Sequence, residues 1–365
     1  MIIAGEASGD LHGAHLVRAM RGLNPHLDFF GIGGNALRQA GMEVRVDNSE
    51  IAVVGVSEAI SKINLLFRAL RLAKQDLKKV CPALLILIDF PDFNLRVATA
   101  AKKLGVPVMY YISPQIWAWR TARVKKIKKL VDHMVVIFPF EVNFYRRWGV
   151  PVTFVGHPLL DSMPLEGLKK KTEAQRDEGV LVGLLPGSRN EEITRLLPTM
   201  VEAAEILSEG IKGVRFAIPV ASSVSKRVVE NIVQGGRAKF SILSDSLRKV
   251  LSEATLVITA SGTVTLETAI AGTPMIIVYK VSPLSYWLGK RMIRVKHIGL
   301  ANLVAEKPIV PELIQHQASA QQIADEALRM IRDERRLVQT RLELRRVAER
   351  LGVPGASKRA AEVAL

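Results

Sequence analysis

The run Leu256-Val257-Ile258-Thr259-Ala260-Ser261-Gly262-Thr263 constrains the fold more than any other stretch of this chain. Its apolar, β-branched opening, Leu256 to Ile258, reads as a strand buried on both faces, the pattern of a parallel sheet. The run breaks at Ala260-Ser261-Gly262-Thr263 and resumes with helical spacing at Leu266, Ala269 and Ile270. A Gly272-Thr273-Pro274 turn then leads into a second buried run, Met275 to Val278. Strand, small-residue turn, helix and strand describe an α/β unit. Open sheets of such units bind ligands beyond the carboxyl ends of their strands. Ser261, Gly262 and Thr263 lie there, at a helix start whose N–H groups and positive end suit a phosphate. Glu267, one turn further, suits a ribose diol; a surface glutamate on a capped helix is the alternative reading.

The pattern recurs in order along the first half. Met1 to Ala4 reads as a short strand leading into Gly5-Glu6-Ala7-Ser8-Gly9-Asp10 and a helix carrying Leu16, Val17 and Met20. Leu27 to Phe30 reads as a second strand, followed by Gly31-Ile32-Gly33-Gly34-Asn35-Ala36. That segment matches G-x-G-x-x-A, with Asp47 or Glu50 as the ribose acid, but it follows the second strand and is a weak dinucleotide signal. Leu84 to Ile88 reads as a buried strand ending in Asp89-Phe90-Pro91-Asp92. An aspartate set between aromatics and proline at a strand end is kept partly dry, which raises its basicity towards that of a general base. Asp89 is the candidate; Asp92 serves either chemistry or as a helix N-cap. Val106 to Ile112 is the next strand, followed by Trp117, Trp119 and Arg120, a pocket wall or core packing. A basic helix through Lys129, then strands Val135 to Phe138 and Val152 to Val155, complete the half. His157 beyond them reads equally as a structural histidine or a ligand.

Residues 163–179 lose apolar periodicity and read as a linker between a domain of residues 1–162 and one of residues 180–345, with 346–365 as a helical tail. The second domain opens with Val180 to Leu185 as a strand and Pro186-Gly187-Ser188-Arg189 at a helix start. Small residues with an arginine there make an anion site, since the guanidinium adds a forked donor to the amides. Val214 to Pro219 and Phe240 to Leu243 supply strands, Gly299 to Leu303 reads as a loop, and the chain is helical from Ala318 onward.

A net charge of +16 calls for an anionic partner: nucleic acid, an anionic membrane surface or a phosphorylated substrate. Aromatics are only 5%, and no nucleic-acid recognition module is legible, so nucleic acid is not expected. Cys81 stands alone, which rules out an internal disulfide and fits a reducing compartment. No signal peptide or bilayer-spanning run is present, so a cytoplasmic location is expected. Residues 62–74 interleave bulky apolar residues with Lys and Arg, which suits either core packing with snorkelling stems or an anionic lipid surface, while residues 284–296 mix aromatics and cations, which suits a membrane interface or a phosphorylated substrate.

The chain resembles the GT-B glycosyltransferases, and within them the lipid-A-disaccharide synthase family. The resemblance rests on Gly5-Glu6-Ala7-Ser8-Gly9-Asp10, Ile88-Asp89-Phe90-Pro91-Asp92-Phe93-Asn94 and Tyr111 to Arg120. It extends to Phe138-Pro139-Phe140-Glu141, Val155-Gly156-His157-Pro158, Leu185-Pro186-Gly187-Ser188-Arg189 and Ala260-Ser261-Gly262-Thr263. Ala7 stands where the family often has threonine, and Ala301 where it often has proline. The resemblance implies two Rossmann-like parallel-sheet domains facing each other across a cleft, the first binding the acceptor and the second the UDP-sugar. It implies an inverting transfer from UDP-2,3-diacylglucosamine to 2,3-diacylglucosamine 1-phosphate, giving a β-1,6 disaccharide and UDP. Asp89 would take the acceptor proton. Arg189 and the amides of Gly187, Ser188, Ser261, Gly262 and Thr263 would hold the diphosphate, and Glu267 the ribose. Glu6, Ser8, Gly9, Asp92, Trp117, Arg120 and Asn302 would line the acceptor and sugar pocket. No metal and no cofactor are expected, and lipid substrates favour peripheral association with the cytoplasmic face of the inner membrane. A homodimer is one alternative for the oligomeric state. The rival reading is another GT-B enzyme of UDP-N-acetylglucosamine, a transferase or 2-epimerase.

Overall fold

The computed structural model describes residues 1–51, 63–163, 179–282, 286–287 and 295–365. The features expected of the linker and of residues 284–294 therefore fall largely outside the described residues. The chain folds as two compact units: Met1–Ser162 with Leu351–Leu365, and Met163–Arg350.

In the first unit, seven parallel strands form a sheet: β1 (Ile2–Ala4), β2 (Phe30–Gly33), β3 (Glu43–Asp47), β4 (Leu85–Ile88), β5 (Val108–Tyr111), β6 (His133–Val136) and β7 (Val152–Phe154). Their order is β3-β2-β1-β4-β5-β6-β7. In the second unit lie β8 (Leu181–Leu185), β9 (Arg215–Val220), β10 (Phe240–Ser244), β11 (Leu256–Ala260), β12 (Met275–Tyr279) and β13 (Glu312–Ile314). Their order, β10-β9-β8-β11-β12-β13, repeats the pattern of the first sheet. In both, the chain winds outward one way and then the other, which creates a switch point where neighbouring loops diverge. In the first sheet that point lies between β1 and β4; in the second, between β8 and β11.

The apolar runs dictate this arrangement. Ile86, Leu87 and Ile88 of β4 pair with Ile2, Ile3 and Ala4 of β1, all at 2% exposure or less. Strands covered on both faces must be apolar throughout, which is why they were legible. Helices Pro91–Lys103 and Val124–Leu130 close over the first core through Val97, Ala101, Val124 and Ile127. Helices Asn190–Gly210 and Ala320–Arg332 close over the second through Leu197, Ala204, Ile323 and Met330.

The glycine segment after the second expected strand is not a dinucleotide loop. Gly31, Ile32 and Gly33 are strand residues of β2. A β-bulge at Gly31, with φ +145°, brings its backbone so close to Ile2 that a Cβ would stand 2.0 Å from the Ile2 carbonyl oxygen. The helix start beyond is already filled, because the buried Asp10 carboxylate accepts from Gly34 N (2.6 Å), Ala36 N (2.9 Å) and Leu37 N (3.2 Å). Asp47 is engaged by Ser49 and Arg38. The chain's own carboxylates occupy the places a nucleotide needs.

The residues closing the chain pack on the first unit. Helix Ala356–Ala364 lies against helix Ala7–Leu23, Arg359 Nε donates to the Val155 carbonyl at 2.8 Å, and Gly355 N donates to Asp161 at 2.5 Å.

Candidate functional site

Asp89 directly follows β4 at the first sheet's switch point, beside the Gly5-Glu6 loop that leaves β1. Asp89 and Phe90 both take left-handed backbone angles, each with φ 47°. Such geometry is costly for residues with side chains and persists only where the surroundings hold it. Here Tyr110 Oη donates to the Asp89 carbonyl, and Asn94 Nδ2 donates to the carbonyls of Asp89 (2.6 Å) and Ile88 (3.2 Å). The Phe90 ring stacks on Phe93 at 5.3 Å and lies over Gly5, where a Cβ would come within 2.3 Å of it. Gly5 is thus required by the position of the Phe90 ring. Burial, with the Glu6 carboxylate second, pushes the Asp89 carboxyl up to about 6.

The neighbours fall into two groups. Glu6 and Ser8 are exposed at the start of helix Ala7–Leu23, and buried Gly9 packs towards Ile88. Asp92 does not cap the Pro91–Lys103 helix, whose N-cap position is Phe90. Its exposed carboxylate instead pairs with Arg123, and with Arg120 at 3.6 Å. Arg120, itself left-handed at φ 58°, lays its guanidinium over the Trp119 ring at 4.5 Å. Trp117 is buried, its Nε1 donating to Glu141 Oε1 at 3.0 Å and its ring meeting Phe140 edge-on at 4.8 Å. Glu141 also accepts from Phe138 N at 3.1 Å, and burial raises its carboxyl to about 7. His157 is a structural histidine: it is 4% exposed, its Nδ1 accepts from Leu159 N at 3.2 Å, and burial lowers it to about 3.

In the second unit, two expected anion loops leave neighbouring strands. Gly187-Ser188-Arg189 follows β8, and Ser261-Gly262-Thr263 follows β11, with Leu185 paired to Thr259 across the register. One internal carboxylate occupies the first loop. Glu192 Oε2 accepts from Ser188 N at 3.1 Å, and Oε1 accepts from Arg189 Nη1 at 2.8 Å. Glu192 sits three residues beyond Arg189, on the same side of the opening helical turn, a spacing that could have flagged it in the sequence. Ser261 Oγ donates to the Ile298 carbonyl at 3.2 Å, and Thr265 N and Oγ close the loop onto the Gly262 carbonyl at 3.1 and 2.7 Å. Glu267 is half-buried on helix Val264–Ile270; burial raises its carboxyl, with Arg248 opposing.

Asn302 departs from expectation. It lies in helix Leu300–Ala305 rather than a loop, is fully buried, and spends its whole amide internally. Its Nδ2 donates to the Val310 carbonyl (2.9 Å) and to Glu312 (2.8 Å), and its Oδ1 accepts from Ile309 N (2.9 Å) and Val310 N (3.1 Å). Two donors and two acceptor sites are all that an asparagine amide has. No hydrogen-bonding capacity remains for a sugar, so Asn302 shapes the protein rather than lining the pocket.

Two parallel sheets of this order, each wound outward in both directions from its first strand, have the architecture of GT-B glycosyltransferases. MurG of Acinetobacter baumannii superposes with a TM-score of 0.62 at 15% identity, over 100% of this chain and 98% of its own. The calicheamicin glycosyltransferase CalG4 gives 0.62 at 15% identity, over 100% and 97%. The family model described as lipid-A-disaccharide synthetase matches residues 1–365. The lipid-A-disaccharide synthase of Geobacter sulfurreducens is 49% identical over 371 residues, covering 100% of this chain and 96% of its own. The chain belongs to the lipid-A-disaccharide synthase family, and its activity is glycosyl transfer in lipid A biosynthesis.

Proposed function

We propose that Asp89 is the general base of an inverting transfer from UDP-2,3-diacylglucosamine to the 6-hydroxyl of 2,3-diacylglucosamine 1-phosphate. The single observation that carries this is the Asp89 environment: a half-buried carboxylate at a strand end, with the Glu6 carboxylate near it, raised to about 6. A carboxylate so placed is ionised at neutral pH yet basic enough to accept a proton as the oxygen attacks. Asp92 is less suited, because it is exposed and tied to two arginines. The departing diphosphate gains charge, which Arg189 and the amides of Gly187, Ser188, Ser261, Gly262 and Thr263 stabilise, with Glu267 on the ribose. Glu6, Ser8, Gly9, Trp117 and Arg120 shape the acceptor side. The direct test is product formation from the two acylated monosaccharides, with UDP-N-acetylglucosamine as the alternative donor. Turnover is expected only with the acylated pair; turnover of the water-soluble donor would support the rival reading.

The acylated substrates also give a use to helix Ile63–Val80. Its inner face buries Ala69, Leu70, Ala73 and Leu77, while Ile63, Leu65, Phe67 and Leu72 stand 48%, 37%, 52% and 36% exposed beside exposed Arg68, Arg71 and Lys74. Snorkelling over a core does not explain apolar side chains turned outward. A helix resting on anionic lipid does. Among the described residues no helix is long and apolar enough to cross a membrane. The reading is therefore peripheral docking at the cytoplasmic leaflet. Phe67→Glu is expected to reduce co-sedimentation with phosphatidylglycerol vesicles about tenfold, since it removes an outward-facing ring that would enter the lipid and adds a repelled charge. Turnover of detergent-dispersed substrates should be unaffected; undiminished vesicle binding would exclude this helix as the docking face.

A further inference from the structure

Ser261 is anchored from outside its own loop. The Ile298 carbonyl that receives its hydroxyl belongs to a backbone segment held by one carboxylate. Ile298 N donates to Glu312 Oε2 at 2.9 Å and Gly299 N to Oε1 at 3.0 Å, while Oε1 also accepts from Asn302 Nδ2 at 2.8 Å. Glu312 opens β13, so these donors are referred to the sheet itself rather than to a flexible loop. Just past the same strand, Gln315 clasps the backbone of Val281, accepting from its N–H at 2.7 Å and donating to its carbonyl at 3.0 Å. β13 and the residue that follows it thus fix the backbone leaving β12 and the backbone reaching Ser261.

We propose that Glu312 is a positioning residue for glycosyl transfer: it fixes the Ile298–Gly299 backbone, whose Ile298 carbonyl receives the Ser261 hydroxyl, and thereby sets the diphosphate-binding loop in its ligand-ready geometry. The proposal rests on reading residues 261–263 as the diphosphate loop. Only a carboxylate satisfies this arrangement. Three N–H donors converge on two oxygens, and bonds to an ionised acceptor are the stronger kind. A glutamine offers one oxygen and one NH2, so Glu312→Gln must turn a donor against another N–H, at Ile298 or at Gly299 and Asn302. The side chain keeps its volume, and the disturbance falls on the backbone behind Ser261.

The test is calorimetric titration of UDP into the full-length enzyme as wild type, Glu312→Gln, Ser261→Ala and the double variant, with acceptor KM and thermal unfolding measured alongside. Glu312→Gln is expected to weaken UDP binding about tenfold, the scale of one lost charged hydrogen bond, with acceptor KM unchanged. Ser261→Ala should weaken UDP as well, and the double variant should be no weaker than the worse single, because Glu312 acts through Ser261. Wild-type UDP affinity in Glu312→Gln, or fully multiplying effects, would overturn the positioning role while leaving the diphosphate reading intact. Unchanged affinity in Ser261→Ala would overturn the diphosphate reading itself and this role with it. Should Glu312→Gln not fold, hydrogen exchange of the wild type decides: UDP is expected to slow the Ile298 and Gly299 amides, and unaltered exchange there overturns the proposal.

Discussion

Asp89→Asn is expected to lower kcat by about three orders of magnitude, within the range that a positioned general base contributes, while raising the melting temperature. The two effects share one cause. Asparagine keeps the shape between Phe90 and Glu6 but cannot accept the acceptor's proton. It also removes a charge that the fold holds at a cost. The Asp89 carboxyl rests at about 6 in the folded protein against about 4 in an unfolded chain. A carboxyl raised on folding favours the native state most when protonated. Its contribution is fully present below about pH 4 and is lost as pH rises towards 6. Above that, the gap between the folded and unfolded values is worth up to about 3 kcal/mol, which the wild type forgoes and the asparagine variant recovers. Differential scanning calorimetry at pH 8 and pH 4 should therefore separate the two proteins at the higher pH only. The rate law carries the same signature: log kcat/KM should climb with unit slope up to about pH 6 and then level. A variant that retained wild-type turnover would remove Asp89 as the base. Lost activity without the pH 8 stabilisation would show that the side chain is not held dry.

How far the sequence anticipated this can be judged from particular residues. β4, β5, β8, β11 and β12 were legible because strands covered on both faces carry unbroken apolar runs. β3 and β13 were not. Both are outer strands, β3 alternates Glu43, Arg45 and Asp47 with valines, and β13 is only three residues long. Asp89, Arg189 and the small-residue turns were visible because a strand end followed by a helix start is a local pattern. The long-range pairings that fix such segments were invisible. Asp10 reaches Gly34 across 24 positions, and Trp117 meets Glu141 across 24 as well. Asn302 was placed in a pocket because a buried asparagine and an exposed one look alike in a linear string. Only the tertiary partners reveal that its amide is already spent.

The largest effect expected in the second unit is at Arg189: replacing it with alanine should cost about two to three powers of ten in kcat/KM, the usual consequence of removing one donor from a developing anion. Stability should scarcely move. The Arg189 side chain is 74% exposed and its partner Glu192 36%, and an exposed ion pair contributes roughly 0.2–1 kcal/mol. Arg189→Lys should recover only part of the loss, because an ammonium supplies charge without the fork that grips two oxygens. Glu192 sharpens the argument. Its carboxylate rests on Ser188 N and on the Arg189 guanidinium, two donors that an entering diphosphate must take over. An internal anion competing for those donors weakens nucleotide binding, so Glu192→Gln should tighten UDP about threefold to tenfold, each tenfold being about 1.4 kcal/mol. If Glu192 served instead to aim Arg189 at the nucleotide, the same substitution would loosen UDP. Titration of UDP into Glu192→Gln and Arg189→Ala reads both answers in one experiment, and the sign at Glu192 decides between a stand-in for the diphosphate and a brace for the arginine.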